Sequence, residues 1–274
     1  MTKVILKEIA MRITHRLSAV ALALLLTACA STQITAPPEV RQALAPAGTL
    51  RVGVYPGSPF SMLRNPATGE TIGVTVEVGR ALASRLGVPY EQVEFGRIGE
   101  VLEAVKAGKV DVTIANATPA RANDYAWTPP LLLIELGYLV GPGSPVKSLA
   151  DVDKPGIRIG VTQGGTSNNN LAREFKNAKV VPAATLKIGI EMLSKHTIDA
   201  YATNKANLFQ MSDEMPGSRV LDGQWGIERL SMALPKGRDA GMAYVRKFVE
   251  DIKSEGLVAR AAAKAGLRGI AKAE

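Results

Sequence analysis

Two asparagines and one glycine-rich turn carry most of the polar chemistry that spacing reveals in this 274-residue chain. Asn116 ends the run Val110-Asp111-Val112-Thr113-Ile114-Ala115-Asn116, and Asn204 ends Ile198-Asp199-Ala200-Tyr201-Ala202-Thr203-Asn204, with the same Asp-to-Asn interval. The segment Gln163-Gly164-Gly165-Thr166-Ser167 precedes a predicted helix through Leu171 and Phe175. Backbone N–H groups at a helix start, with a Thr hydroxyl among them, form a carboxylate site, although the same residues also serve as a plain helix cap. The histidines are His15, in the leader, and His196, at a turn; Cys29 is the single cysteine. Neither a metal-ligand cluster, a phosphate-binding glycine loop nor a nucleophile elbow is present in the sequence, so no metal or cofactor is expected.

The elements that must position these residues occur twice. Arg51-Val52-Gly53-Val54 opens one copy and Arg158-Ile159-Gly160-Val161 the other. Before each Asp lies an amphipathic spacing that predicts a helix, with Val101, Leu102 and Val105 in the first copy and Leu186, Ile190 and Leu193 in the second. Each copy reads as strand, helix, helix, strand. Such units build parallel sheets whose ligands bind outside the carboxyl ends of the strands, where Asn116 and Asn204 fall. The apolar run 131–140 predicts a buried strand leaving the first copy, residues 229–234 predict a returning strand, and Met242, Val245, Val249 and Ile252 mark a closing helix. Two crossings make a hinge, a geometry that closes on ligands.

The chain begins with Lys3, Lys7, Arg12 and Arg16, an apolar run Ala19–Leu26 and Thr27-Ala28-Cys29. This is an export signal, since the run is far shorter than the roughly 18 residues of a membrane span. Leu26-Thr27-Ala28-Cys29 resembles the lipobox of bacterial lipoproteins, which implies lipidation of Cys29 and attachment to a membrane through that lipid. Pro37, Pro38 and Pro46 predict a loosely ordered tether before the folded part. The net charge of +8 falls to +5 once residues 1–28, with four basic residues and one acid, are removed. That balance weakly favours anionic ligands, and without clustered basic residues or stacking aromatics nucleic-acid binding is not expected.

From Thr49 to Leu267 the chain resembles the family 3 extracellular solute-binding proteins, the polar amino-acid-binding components of ABC importers. The matching text includes Gly48-Thr49-Leu50-Arg51-Val52-Gly53-Val54, Pro59-Phe60, Lys106-Ala107-Gly108-Lys109-Val110-Asp111, Thr118-Pro119-Ala120-Arg121, Gly160-Val161-Thr162-Gln163-Gly164-Gly165-Thr166 and Asp199-Ala200-Tyr201. The resemblance implies an α/β fold of the periplasmic-binding-protein type II kind, with two lobes, a two-segment hinge and a cleft between the lobes. The expected organisation is a signal at 1–28, a tether at 29–48, lobe 1 at 49–135 plus 231–274, and lobe 2 at 136–230. It further implies a monomeric, periplasmic receptor that presents a small carboxylate-bearing solute, an amino acid or a derivative, to a permease.

By the same resemblance Arg121, in the Thr-x-x-Arg motif, grips the ligand carboxylate, and a guanidinium fork suits a planar carboxylate bidentately. Thr166 with Gly165 supplies the second anchor, Asn116 and Thr118 add neutral hydrogen bonds, and Phe60, Tyr55 and Trp225 line the pocket. One position departs from the pattern. The Asp that pairs with an α-ammonium group in typical members is Asn204 here, so the charge comes from another acid, Glu135 or Asp222, or the ligand lacks an ammonium; the adjoining Lys205 is expected to be solvated, the alternative being that it favours a second anionic group. Cyclohexadienyl or arogenate dehydratases share the resemblance, but general acid–base work needs a positioned group. Glu135 is the conceivable one, and a non-enzymatic binder is expected ahead of such an enzyme or a sensing lipoprotein.

Overall fold

Alternating strand and helix text folds into one twisted assembly of strands flanked by helices. The computed structural model describes residues 36–271, which fall within one compact unit. The signal, Cys29 and the first part of the expected tether lie outside the described residues. Among those residues no helix is long and apolar enough to cross a membrane.

The remainder of the tether is folded, contrary to expectation. Helix α1 (Pro38–Leu44) begins with Pro at its first turn and buries Val40 and Leu44. Proline is favoured there because its missing N–H would be unpaired anyway, so the prolines mark a helix start rather than a linker. Leu44 lies so close to Gly241 that a Cβ on that glycine would sit 2.4 Å from its Cδ2.

Strand β1 (Leu50–Val54) pairs in parallel with β4 (Tyr90–Glu94); between them lie the short hairpin of β2 (Leu63–Arg64) and β3 (Thr71–Ile72) and helix α2 (Val74–Leu86), which ends at Gly87 in the left-handed conformation with φ 70°. Helix α3 (Ile98–Lys106) leads to β5 (Thr113–Asn116), and a bridge between Val52 and Val112 joins β5 to β1. Beyond β5 the sheet runs through β12 (Gly226–Pro235), β7 (Leu132–Val140), β10 (Ala200–Asn204), β8 (Arg158–Thr162) and β9 (Lys179–Ala183). Two short strands, β6 (Tyr125–Trp127) and β11 (Arg219–Val220), pair with β12 and β7 respectively. Helices α4 (Thr166–Glu174), α5 (Leu186–Ser194) and α6 (Lys205–Asp213) belong to the second repeat, and α7 (Asp239–Ser254) and α8 (Leu257–Lys264) close the chain. The inward face expected for α7 is buried, with Phe248 added to it.

Between the repeats the sheet narrows to β7 and β12. Strand β7 pairs with β12 over Leu132–Leu136 and with β10 over Leu136–Val140. Strand β12 pairs with β7 in its first half and with β5 in its second. The chain end runs alongside: Glu135 N–H donates to the Gly269 carbonyl at 3.0 Å, and Ala271 N–H to Leu133 at 2.9 Å.

The repeated phrase is a repeated ion pair. Arg51 Nε and Nη2 donate to Asp111 at 3.0 and 2.8 Å, the Arg51 backbone N–H to the same carboxylate at 2.9 Å, and Nη2 also to the Gly108 carbonyl at 2.9 Å. Arg158 repeats each bond, to Asp199 at 3.0 and 2.7 Å, from its backbone at 2.8 Å, and to the His196 carbonyl at 2.8 Å. His196, at φ 50°, therefore occupies the turn that Gly108 forms at φ 67°. The two forks differ in depth. Asp111 is wholly buried and also receives Arg238 at 2.9 Å, whereas Asp199 is 12% exposed and its partner Arg158 38%. Stripping a buried pair of one partner leaves uncompensated charge, at a cost of about 3 to 5 kcal/mol, and exposed pairs are worth about 1 kcal/mol or less. Asp111→Ala is therefore expected to lower the free energy of unfolding in urea by about 3 kcal/mol or more, and Asp199→Ala by clearly less.

Candidate functional site

The carboxyl ends of β5, β8 and β10 converge where the two repeats face each other. Tyr55, Phe60, Asn116, Arg121, Thr166 and Asn204 border a common cavity, with Gly165, Asn207 and Glu228 also on its wall. Its volume is about 40 Å³, enough for some three waters at roughly 10–15 Å³ each.

Arg121 sits in the 3-10 turn Pro119–Arg121 and is 8% exposed. Its Nη1 donates to the Asn116 carbonyl at 3.0 Å and its Nη2 to the Gly164 carbonyl at 3.1 Å, so one guanidinium links the end of β5 to the loop after β8. A guanidinium carries five N–H donors, and the others have no acceptor among the described residues. Burial lowers the Arg121 pKa from its usual value, opposed by the nearby Glu228. The loop it holds comes close because both surfaces lack side chains: a Cβ on Gly164, at φ 74°, would lie 3.0 Å from the Gly99 Cα in α3.

Thr166 is the first residue of α4, behind Gly165, and no side chain caps that helix. Its first-turn N–H groups are the kind that an anion satisfies. Asn116 Nδ2 donates to Thr166 Oγ1 at 3.2 Å, and Asn116 Oδ1 accepts from the Arg229 N–H at 2.9 Å. The asparagine thereby joins β5, α4 and β12.

Asn204 caps α6, accepting from the Asn207 N–H at 3.1 Å, and donates through Nδ2 to Glu228 Oε2 at 2.9 Å. Glu228 is 7% exposed. Burial raises its pKa above the usual 4.5, while hydrogen bonds from Thr166 and Asn204 and the charge of Arg121 oppose the rise. Tyr55, also buried, faces the same region, and Glu228 contributes to raising its pKa after desolvation.

Several expected residues lie elsewhere. Thr118 does not border the cavity; it is half-buried on an adjoining groove, its carbonyl accepting the Arg121 N–H at 3.0 Å to close the turn. Trp225 lies on that same groove and packs beside Tyr138, donating Nε1 to the Gly137 carbonyl at 3.3 Å. Of the two acids offered as a replacement charge, Asp222 is exposed, and Glu135 is bound by Lys205 at 2.6 Å, away from the cavity. That pair also occupies the Lys205 ammonium, the alternative seat for a second anionic group. The acid in the wall is Glu228, which sequence reading passed over. Register explains its place. Asn204 and Gly226 pair with the same residue, Leu136, from opposite sides of β7, and Glu228 follows two residues later.

Residues 50–267 match the model of the bacterial extracellular solute-binding proteins, family 3, and the chain belongs to that family. It is similar to the ABC transporter glutamine-binding protein GlnH of Bacillus subtilis (strain 168), with 22% identity over 208 residues, covering 74% of this chain and 76% of that one. Among solved structures it is similar to the solute receptor for L-cysteine of Neisseria gonorrhoeae, at 23% identity and TM-score 0.74, covering 84% and 98%. It is also similar to the ancestral amino acid-binding protein AncCDT-1, a precursor of cyclohexadienyl dehydratase, at 23% identity and TM-score 0.71, covering 81% and 96%. These likenesses establish the type II periplasmic-binding-protein fold.

Glu228 titrates with a definite sign. A carboxyl whose native pKa is raised contributes stability that is fully present below its unfolded pKa near 4.5 and is lost as pH climbs through the native value. Each unit of elevation is worth about 1.4 kcal/mol. Glu228→Gln removes this titration, so without added solute its urea midpoint is expected to rise relative to the parent between pH 5 and pH 8. Parallel midpoints across that range would exclude a raised native pKa.

Proposed function

We propose that this protein is the receptor of an ABC importer that captures a small carboxylate-bearing solute, an amino acid or a close derivative. One observation carries the reading. Arg121, buried and with donors to spare, borders the same cavity as the uncapped first turn of α4, so a carboxylate held there meets a guanidinium and helix N–H groups together. Charged hydrogen bonds of this type contribute about 1.5 to 3 kcal/mol each. Asn116, Gly165 and Thr166 complete the anion side, and Phe60 with Tyr55 supplies apolar wall.

Closure follows from the same contacts. The two repeats act as lobes that swing on β7 and β12, and a ligand bridging Arg121 and α4 shifts the equilibrium to the closed form by its greater affinity for it. The Gly164–Arg121 bond belongs to that closed form. In this reading the receptor works as a periplasmic monomer, held to its membrane by lipid on Cys29, and the closed form is what the permease engages.

No catalysis is assigned. Glu135, the carboxylate that the sequence suggested for dehydratase chemistry, is occupied by Lys205 outside the cavity. Incubation of the purified chain with prephenate or arogenate is expected to yield no product.

A thermal-shift screen of amino acids, dicarboxylates and keto acids on the purified chain is expected to reveal the ligand, since a solute at about 100 times its Kd adds roughly 2.7 kcal/mol to stability. Arg121→Ala is expected to abolish that shift while leaving the circular dichroism spectrum unchanged. Undiminished affinity in this variant would remove the carboxylate from Arg121.

A further inference from the structure

The cavity shares wall residues with three outer hollows. Towards a hollow beside α3 the common residue is Arg121, and towards the groove that holds Trp225 the common residues are Asn116, Arg121 and Thr166, all of them polar. Towards the third hollow it is Leu186. That groove measures about 380 Å³; Pro56, Ile190 and Met211 give it apolar surface, and Lys187 and Glu214 also border it.

Leu186 is the first residue of α5, whose start is fixed by Thr185 Oγ1 accepting the Ile188 N–H at 3.2 Å. It is 5% exposed and packs in an apolar cluster that includes Tyr55 and Val101 of the first repeat and Leu193 and Tyr201 of the second. Its counterpart in the first repeat is Ile98, the first residue of α3, which stands as far before Asp111 as Leu186 stands before Asp199. Ile98 also borders the cavity but not the apolar groove. The loop after β1 meets Leu186 from the first repeat, since a Cβ on Gly57, at φ 79°, would lie 4.0 Å from Leu186 Cδ1. One side chain, packed between the repeats, thus separates enclosed space from an open apolar groove.

We propose that Leu186 is the end wall that limits the length of the solute's apolar part, so that the protein selects compact carboxylate-bearing solutes and rejects those with long tails. This rests on the carboxylate site described above and specifies the size class that fills it. The partitions differ in kind. Arg121, Asn116 and Thr166 are held by directed hydrogen bonds between the repeats, whereas Leu186 is held by packing. A solute one methylene too long must press on Leu186, and a close-packed cluster has no slack to yield. A smaller side chain at this position joins the cavity to the groove. The tail then meets Ile190 and the adaptable thioether of Met211, and each methylene it buries gains about fourfold in affinity.

The test uses the purified full chain and two straight-chain series. One runs from L-alanine through L-2-aminobutyrate, L-norvaline and L-norleucine to L-2-aminoheptanoate, and the other is the same acids without the amino group, from propionate to heptanoate. Calorimetry on the parent is expected to show a cut-off, a chain length beyond which affinity falls by about tenfold or more. Leu186→Ala is expected to move the cut-off outward by about two to three carbons, the size of the side chain removed. Leu186→Phe is expected to move it inward. Ile190→Ala, which alters the groove and not the cavity wall, is expected to keep the parental cut-off. A leucine with a purely structural role would lower the urea midpoint of each Leu186 variant and leave the cut-off in place.

A folded Leu186→Ala with the parental cut-off overturns the inference, and so does a parent that shows no cut-off in either series. If Arg121→Ala has meanwhile lost binding, carboxylate capture stands without the end wall. If no member of either series binds the parent at millimolar concentration, both readings fall together. Should Leu186→Ala not fold, Leu186→Val, one carbon shorter, takes its place and is expected to move the cut-off outward by about one carbon; an unmoved cut-off in that variant overturns the inference equally.

Discussion

Twin forks from arginine to aspartate hold the ends of the working strands. In each repeat an arginine at the start of a strand reaches over the turn before the next strand, binds its Asp through side chain and backbone, and takes the carbonyl of the turn residue as well. The bond fixes where the second strand begins, and five residues later that strand delivers Asn116 or Asn204 to the cavity. Because the arginine uses three donors in a rigid plane, the angle between the strands is set along with their spacing. The glycine two residues beyond each arginine permits the same close cover on both sides: a Cβ at Gly53 would fall 2.7 Å from Val101, and one at Gly160 would fall 2.4 Å from Ile198.

Between these rigid ends the molecule relies on two strands. β7 and β12 carry the sheet from one repeat to the other, and β12 also takes part in the site, since Arg229 N–H meets Asn116 and Glu228 meets Asn204. A strand that is both connector and wall couples what the cavity holds to how the repeats are set. Arg121 acts in the same way from the rim, joining β5 to the Gly164 loop. The residues that touch the cavity are therefore largely those that hold the two repeats together.

The cavity wall carries groups of both kinds. Arg121 and the start of α4 suit negative charge, while Glu228, hydrogen-bonded by Thr166 of that same helix, and the bare Asn207 oxygen are acceptors. Both titratable groups are buried, so neither is screened by water as a surface group would be, and each tempers the shift that burial imposes on the other.

Much of this was legible in the chain. The duplication, the alternation of strands and helices, the closing helix and the strand-end places of Asn116 and Asn204 follow from short-range spacing, because repeats, caps and strand ends are set by residues a few positions apart; Arg121, Thr166 and Phe60 were pointed to by the family resemblance. The order of prolines near residue 38 misled, since a proline at a helix start and a proline in a linker look alike until the apolar faces of Val40 and Leu44 find a partner nearly 200 residues away. Thr118 and Trp225 turned aside for a similar reason: a residue next to a site in sequence is placed by the rotation of the backbone, which local text does not fix. Glu228 was decided by tertiary structure alone. Its approach to Asn204 depends on both strands finding their register on Leu136 of β7, a pairing between distant segments that no local pattern specifies.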